Sequence, residues 1–328
     1  MKPPNFQQKV FRIVNRDAFN AVAIELFLYQ AKNNAVYQNF LKLLKVDPLQ
    51  VKKTEDIPFL PIEVFKHHDV MTGEFDPEVI FTSSGTTSAA TSRHLVRDAS
   101  MYIQSFTTGF NHFYRDPRDY RILALLPSYL ERSGSSLVYM VENLMQQSNH
   151  PENGFYLDDL EGLANKLKVT SDEGQKTLLI GVSYALLDLA ERFPQELPGT
   201  IIMETGGMKG RRKEITRGEL HNKLGSAFGV TEIHSEYGMT ELLSQAYSSG
   251  NGKFRCPPWM QVLVREQDDP MKYCIGKTGG INAIDLANID SCAFIATGDL
   301  GRVEEDGSFE VIGRFDFSDV RGCNLMVE

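Results

Sequence analysis

A hydroxyl-rich turn at residues 82 to 88 is the segment of this sequence best suited to bind an anion. It reads TSSGTTS and follows the short apolar run at residues 79 to 81. Hydroxyls and backbone N–H groups can converge on an anion there, because Gly85 lacks the Cβ that would keep the backbone away. A plain solvated loop is the alternative for such a run. The phosphate-binding interpretation makes candidate ligands of Ser83, Ser84, Gly85, Thr86 and Thr87.

The composition limits the kinds of ligand that this turn could bind. The chain has 328 residues, 42% of them hydrophobic and 23% charged, which is enough for one large domain or two unequal ones. Its 34 basic and 43 acidic residues give a net charge of −9, so no basic field exists to hold a nucleic acid or an anionic membrane. An anionic ligand must therefore be held by local donors. The start lacks an apolar leader and no stretch approaches the ~20 apolar residues of a membrane span, so we expect a cytoplasmic protein.

The cysteines favour neither a disulfide scaffold nor a zinc site. Cys256, Cys274, Cys292 and Cys323 are widely spaced, with no C-x-x-C pair. We expect the first three to be packing residues. Cys323 differs because it lies in the polar segment DVRGCN, where the charge of Arg321 favours the thiolate.

Short apolar runs alternate with amphipathic stretches along most of the chain. Residues 17 to 31 have the apolar spacing of a helix behind a possible Asp17 cap. Strand-like runs lie at residues 120 to 126, 177 to 180 and 200 to 203, and helix-like stretches follow at 184 to 193 and 212 to 227. Buried strands joined by helices form parallel sheets, and ligands bind at the carboxyl ends of such strands. We expect all of the motif loops to fall at such ends.

After about residue 250 the apolar runs become shorter and turns more frequent. Asp306-Gly307 between two apolar runs is a hairpin signal. The pattern predicts an α/β core over residues 1–250 and a β-rich subdomain with a C-terminal tail over residues 251–328.

Two further segments carry side chains suited to nucleotide chemistry. Residues 234 to 241 read HSEYGMTE, and residues 296 to 301 read ATGDLG. Taken singly, Tyr237 could be a core aromatic, Glu241 a helix-start carboxylate and Asp299 a turn former.

Four motifs in order along the chain resemble the core motifs of the adenylate-forming superfamily of acyl-CoA synthetases and related ligases. They are SSGTT at residues 83 to 87, YGMTE at 237 to 241, TGD at 297 to 299 and GRFD at 313 to 316. In joint order, the three structural readings above become improbable. The short length and the ending RGCN at residues 321 to 324 are most similar to the acyl-protein synthetases of bacterial bioluminescence, the long-chain-fatty-acid protein ligases.

The resemblance implies ATP as a cofactor and a binding role for several residues around the adenosine. Tyr237 would stack on adenine, and the adjacent Gly238 suits a flat aromatic there. Asp299 would accept both ribose hydroxyls. Gly206 and Gly207 would let the backbone approach the base.

The resemblance also implies a set of catalytic residues and Mg²⁺. Thr240 would contact the phosphate or the acyl adenylate, and Glu241 would hold Mg²⁺, a hard cation that prefers carboxylate oxygen. Arg314 belongs to the last motif and is a further candidate. The bioluminescence ligases carry the acyl group as a thioester on a cysteine near the C-terminus, and Cys323 occupies such a position.

The sequence departs from the superfamily pattern in two places. The phosphate loop usually ends in proline and lysine, whereas SAATSR follows here at residues 88 to 93. Arg93 is then the displaced cation, or the loop binds less tightly. The sequence also ends soon after Arg314, where most relatives continue into a mobile lid domain with a catalytic lysine, so we expect that lid to be absent or vestigial.

The expected fold class is therefore α/β, the large N-terminal domain of an adenylate-forming enzyme with parallel sheets and helices. The expected function is ATP-dependent activation of a fatty or other hydrophobic carboxylic acid to acyl-AMP, followed by acylation of Cys323. An acyl-accepting reductase or acyltransferase would be the partner. The alternatives are a ligase that releases the acid to CoA or a carrier protein, and a nucleotide-binding module without catalysis.

Overall fold

A computed structural model describes residues 5–83, 91–126, 134–172, 176–206, 212–213 and 215–315, with the backbone alone for residues 170 to 172. Its helices are α1 (Phe6–Val10), α2 (Arg16–Asn33), α3 (Ala35–Leu43), α4 (Ala99–Tyr114), α5 (Ser136–Ser148), α6 (Leu160–Asp172), α7 (Ser183–Arg192) and α8 (Arg217–Phe228). Its strands are β1 (Leu60–Pro61), β2 (Val79–Thr82), β3 (Arg93–Val96), β4 (Arg121–Leu125), β5 (Gly154–Phe155), β6 (Thr177–Val182), β7 (Thr200–Thr205), β8 (His234–Tyr237), β9 (Ala246–Ser248), β10 (Met260–Arg265), β11 (Gly279–Asp285), β12 (Phe294–Val303) and β13 (Phe309–Arg314). Within this described part, no helix is both long and apolar enough to cross a membrane.

The predicted helix at residues 17 to 31 is confirmed as α2, with a slightly earlier start. Its cap is Asn15 rather than Asp17, because the Asn15 side chain accepts from the Ala18 N–H at 2.9 Å. The helix buries Phe19, Leu26 and other apolar side chains. Such burial on one side fixes the helix against the rest of the core.

The central sheet has the strand order β5-β4-β6-β7-β8-β9. Its first five strands pair in parallel, and β9 pairs antiparallel to β8. Strands β4 and β6 are buried along their whole length, as expected for strands covered on both faces. The predicted parallel sheet is confirmed. Helix α8 begins later than predicted, at Arg217, because Thr216 is its N-cap and forms a capping box with Glu219 in the first turn.

The β-rich C-terminal region forms a second sheet with the order β1-β12-β11-β10, and β13 pairs with β12. The hairpin predicted at Asp306-Gly307 is confirmed, since β12 and β13 are antiparallel and Gly307 takes a positive φ of 79°. Strand β1 adds to this sheet by pairing in parallel with β12. The division of the chain at residue 250 stays a prediction.

The expectation that every motif loop follows a parallel strand was wrong in two places. The hydroxyl-rich turn lies between β2 and β3, which are antiparallel, because about ten residues are too few for a parallel crossover. Asp299 lies inside β12 instead of in a turn, and it pairs with Arg314 of β13. Gly298 lies within the same strand, between Ala296, which pairs with Asn282, and Asp299.

Candidate active site

The loop after β8 carries Thr240 and Glu241, and two buried side chains hold its backbone. His94 of β3 places Nδ1 at 2.8 Å from the Thr240 carbonyl oxygen and Nε2 at 3.0 Å from Asn288 Oδ1. Asn288 Nδ2 donates to the Glu241 carbonyl at 2.7 Å and to the Cys292 carbonyl at 3.0 Å. The backbone of the Thr240–Glu241 segment is therefore fixed to the strand that follows the hydroxyl-rich turn.

His94 is in an unusual hydrogen-bonding position. Both ring nitrogens face oxygen acceptors, because Asn288 uses its amide N–H groups on two carbonyls and presents only Oδ1 to the ring. A neutral imidazole has one N–H to donate. Burial nevertheless lowers the pKa of His94 to about 4 and outweighs the two hydrogen bonds, which raise it. The ring is therefore neutral near pH 7.

The Glu241 carboxyl lies beside the base of the hydroxyl-rich turn. The Ser92 hydroxyl donates to it, and burial raises its pKa despite the opposing charges of Arg314 and Lys66. Ser92 also joins the two ends of the turn, since its N–H donates to Ser83 Oγ at 2.9 Å and its carbonyl accepts from the Ser83 N–H at 3.1 Å. A buried carboxylate is a suitable ligand for a hard cation.

Asp299 accepts from one donor at each carboxylate oxygen. The Tyr237 hydroxyl donates to Oδ2 at 2.8 Å, and Arg314 Nε donates to Oδ1 at 3.1 Å. Burial, and then the negative charge of Asp299, raise the pKa of Tyr237 well above its usual value, so the phenol keeps its proton. Each carboxylate oxygen has a further lone pair. Asp299 thus keeps the capacity to accept two more hydrogen bonds.

The Tyr237 ring packs against two aromatic side chains of the β-rich region. Its centroid lies 5.9 Å from that of Phe254 and 5.6 Å from that of Phe309, both in edge-on geometry. Only 8% of Tyr237 is exposed. These contacts leave only a small area of the Tyr237 ring free to contact a ligand. Its stacking on adenine stays a prediction.

The Arg265 side chain donates hydrogen bonds to the strand that carries Asp299 and to its neighbour β11. Its Nη2 donates to the Thr297 carbonyl at 2.7 Å, and its Nη1 donates to the Ile281 carbonyl at 2.7 Å. A Cβ at position 280 would lie 2.4 Å from the guanidinium carbon, so Gly280 is required for this close approach. The contacts fix β11 and β12 at the irregularity in their pairing.

Of the remaining predicted residues, the structure describes Gly206, Gly238 and Arg93. Gly206 follows β7 with a positive φ of 67°, and its carbonyl accepts from the Ser183 hydroxyl. Arg93 is half-exposed and pairs with Asp69 at 3.3 Å. The other predicted residues, Ser84, Gly85, Thr86, Thr87, Gly207 and Cys323, lie outside the described residues.

The site contains residues that the motifs did not indicate. His94, Asn288 and Arg265 belong to none of the four motifs. Their hydrogen-bond partners lie on other elements, so spacing along the chain carries no signal for them. A glycine pair at residues 279 and 280 inside an apolar run is the one local sign, because it indicates a close approach to the backbone.

Comparison with known proteins establishes the fold. No family model and no curated protein matches the chain. Solved structures do match. A 2-hydroxyisobutyryl-CoA ligase in complex with 2-HIB-AMP and CoA superposes with a TM-score of 0.69 at 12% identity, over 97% of this chain and 73% of that one. ATP-bound MatB from Rhodopseudomonas palustris gives a TM-score of 0.55 at 15% identity, over 80% of this chain and 49% of that one.

The chain spans about half the length of the MatB structures that it matches. At these identities, the likeness concerns the fold. The parallel sheet with its helices and the β-rich C-terminal region match the N-terminal domain of adenylate-forming enzymes, so the predicted fold class is confirmed.

Proposed function

We propose that this protein activates a hydrophobic carboxylic acid with ATP, giving acyl-AMP and pyrophosphate. One observation carries the proposal: contacts join motifs that are far apart in the sequence. Ser83, Ser92 and Glu241 form one connected group, while Tyr237, Asp299 and Arg314 form another. The fold supports it, since the similar structures include enzymes described with bound ATP or an acyl-AMP.

In the proposed first step, a carboxylate oxygen of the acid attacks the α-phosphorus of ATP. A new O–P bond forms while the bond to the bridging oxygen breaks, and pyrophosphate leaves with that electron pair. The two anions repel each other, so the barrier falls if fixed donors stabilise the charge. The hydroxyl-rich turn would supply these donors, and Asp299 would orient the ribose through its free lone pairs.

Mg²⁺ fits the proposed site at Glu241. When bound, the ion would spread the charge of the triphosphate. Among the described residues, no group of three or more His, Cys, Asp or Glu side chains could hold a metal. Mg²⁺ does not need one, because it commonly binds to one or two carboxylates together with substrate phosphates and water. Burial raises the pKa of Glu241, and a bound cation would favour the charged form of this carboxyl.

We further propose that a thiolate attacks the acyl carbonyl of the adenylate. The thiol first loses its proton to solvent. The C–S bond then forms while the C–O bond to AMP breaks. Burial raises the pKa of Cys256 and of Cys292 to about 12, and it also raises that of Cys274. These three thiols are poor nucleophiles near pH 7. Cys323 is therefore the proposed acceptor within the chain, and a reductase or acyltransferase would use the thioester.

A ligase that releases the acid to CoA is the second candidate. The observation that favours it is the likeness to the 2-hydroxyisobutyryl-CoA ligase over 97% of this chain. In that case the thiol belongs to CoA, and Cys323 has no part in the reaction.

Acid-dependent exchange of labelled pyrophosphate into ATP tests the activation step. We expect exchange with at least one member of a panel of carboxylic acids in the presence of Mg²⁺. No exchange with any acid would favour a nucleotide-binding module without catalysis. The intact mass of the protein after incubation with acid and ATP then separates the two acceptors: a thioester adduct supports Cys323, and consumption of CoA without an adduct supports the ligase.

A further inference from the structure

A row of buried polar residues crosses three strands on one face of the central sheet. Thr205, Glu236 and Tyr247 are register partners on β7, β8 and β9. Directly paired residues on adjacent strands have their side chains on the same face. Gln245, which precedes β9, joins them, and each of these four residues is more than nine-tenths buried. We refer to Thr205, Glu236, Gln245 and Tyr247 as the Glu236 cluster.

The Glu236 cluster contacts the start of the loop that carries Thr240 and Glu241. A Cβ at position 238 would be 2.5 Å from Glu236 Oε1 and 3.3 Å from Gln245 Cγ. Both side chains therefore lie against the Gly238 backbone, and a larger residue at this position would displace the end of the Glu236 side chain. Gly238 and Thr240 are two residues apart, so their Cα atoms are separated by at most about 7 Å. The cluster is thus close to Thr240, which is proposed to contact the phosphate or the acyl adenylate.

Two atoms of the cluster have unmet hydrogen bonds. In the part of the chain that the structure describes, Gln245 Oε1 and the Tyr247 hydroxyl are buried without a partner. Glu236 accepts from the Thr205 hydroxyl at 2.5 Å through Oε2. Burial, reinforced by the neighbouring Glu204, raises the pKa of Glu236 to about 7. Buried polar atoms without partners are uncommon and costly, so the cluster has the properties of a binding site for a polar group.

We propose that the Glu236 cluster binds a hydroxyl group on one of the first few carbons of the acid substrate. The inference rests on the proposed function. A hydroxyl can donate to Gln245 Oε1 and accept from the Tyr247 O–H at the same time, which meets both unmet requirements. The ligand group is neutral, because a charged group would lose its hydration in this buried place.

The space around Tyr247 agrees with a compact ligand group. The cavity beside it is lined by apolar side chains that include Ile180 and Met203, and its accessible volume is about 10 Å³. That is roughly the space of one water molecule. Apart from Tyr247 the lining of this space is apolar, and it has room for one small group only, so the rest of the acid extends in another direction.

Matched pairs of acids test the proposal. Pyrophosphate exchange is measured with hexanoate, 2-hydroxyhexanoate and 3-hydroxyhexanoate. For the wild type, we expect kcat/KM for one hydroxy acid to exceed that for hexanoate by roughly tenfold to hundredfold, the range for an unmet buried hydrogen bond. Gln245→Leu and Tyr247→Phe should reduce this preference to about threefold or less.

A matched control is Tyr120→Phe, which removes a buried phenol that donates to the Tyr114 carbonyl outside the cluster. Its preference should equal that of the wild type. Thermal unfolding gives a second readout that needs no turnover: 3-hydroxyhexanoate or 2-hydroxyhexanoate should raise the Tm of the wild type, and neither should raise that of the Gln245→Leu variant.

The outcomes separate this inference from the proposed function. Equal or better exchange with hexanoate overturns the hydroxyl site and leaves activation of acids intact. Exchange with amino acids alone also overturns it, because the cluster then binds an ammonium group. No exchange with any acid overturns the proposed function. If the hydroxy acids then also fail to shift the Tm of the wild type, the binding site is overturned with it.

Discussion

The neutral state of His94 can be tested through the pH dependence of stability. The ring is buried between the Thr240 carbonyl and Asn288 Oδ1, and it carries the backbone of the proposed Mg²⁺ ligand Glu241. Replacing it with glutamine keeps one amide donor in a similar place and removes the titration. At pH 7 we expect His94→Gln to lower the free energy of unfolding by about 1–3 kcal/mol, because one of the two acceptors loses its partner.

The pH dependence follows from the lowered pKa of His94. In the folded protein this pKa is about 4, against 6.5 in the unfolded chain. The unfolded state therefore binds more protons below pH 6.5, so the contribution of His94 to stability is complete above pH 6.5 and declines as the pH falls towards 4. Between pH 7 and pH 5 the free energy of unfolding of the wild type should fall by about 2 kcal/mol relative to that of the glutamine variant.

Urea unfolding of both proteins at pH 7, 6 and 5 measures this difference, and groups that titrate alike in both proteins cancel. Because Glu241 lies next to His94 and its own pKa is raised, the pair should also be compared in a Glu241→Gln background. A difference that does not change with pH in either background would refute the reasoning. The pKa of His94 would then be the same in the folded and unfolded states, whereas a change of the opposite sign would indicate an imidazolium that donates to both acceptors.

Three further predictions concern the proposed chemistry. Glu241→Gln should lower acid-dependent pyrophosphate exchange by on the order of 10² to 10³-fold, the usual scale for one electrostatic group; undiminished exchange would remove Glu241 from the mechanism. Arg93→Ala should raise the apparent KM for ATP more than that for the acid, if the guanidinium leaves Asp69 to bind phosphate; unchanged constants and rate would identify Arg93 as a surface residue. Cys323→Ser should keep pyrophosphate exchange but abolish hydroxylamine-sensitive labelling of the protein, since adenylation precedes transfer; a labile adduct on the variant would point to another cysteine.

The elements that the sequence predicted well are those whose signals are local. Strands β4, β6 and β7 are buried along most of their length, and such strands read as continuous apolar runs wherever they pack. Helix α2 likewise follows from apolar spacing within 18 residues. The α/β class needed no knowledge of distant contacts, because alternation of such runs and helices is enough to indicate it.

The support of the proposed site could not be predicted in the same way. His94 contacts Thr240 and Asn288, which are 146 and 194 residues further along the chain. Whether a buried histidine is a packing residue or holds a loop depends on which acceptors the fold brings to it. The same holds for Asp299, which taken singly could be a turn former and which pairing with β13 places inside a strand.

The two faces of β8 show how one short motif can serve two binding regions. Neighbouring side chains of a strand point to opposite faces, so Tyr237 and Glu236 must separate. Tyr237 faces the β-rich region, where it donates to Asp299. Glu236 faces the side on which Tyr247 contacts the aromatic residues of α4. If the proposals hold, substitutions at Tyr237 should change the KM for ATP and substitutions at Gln245 the choice of acid, because the strand itself keeps the two regions apart.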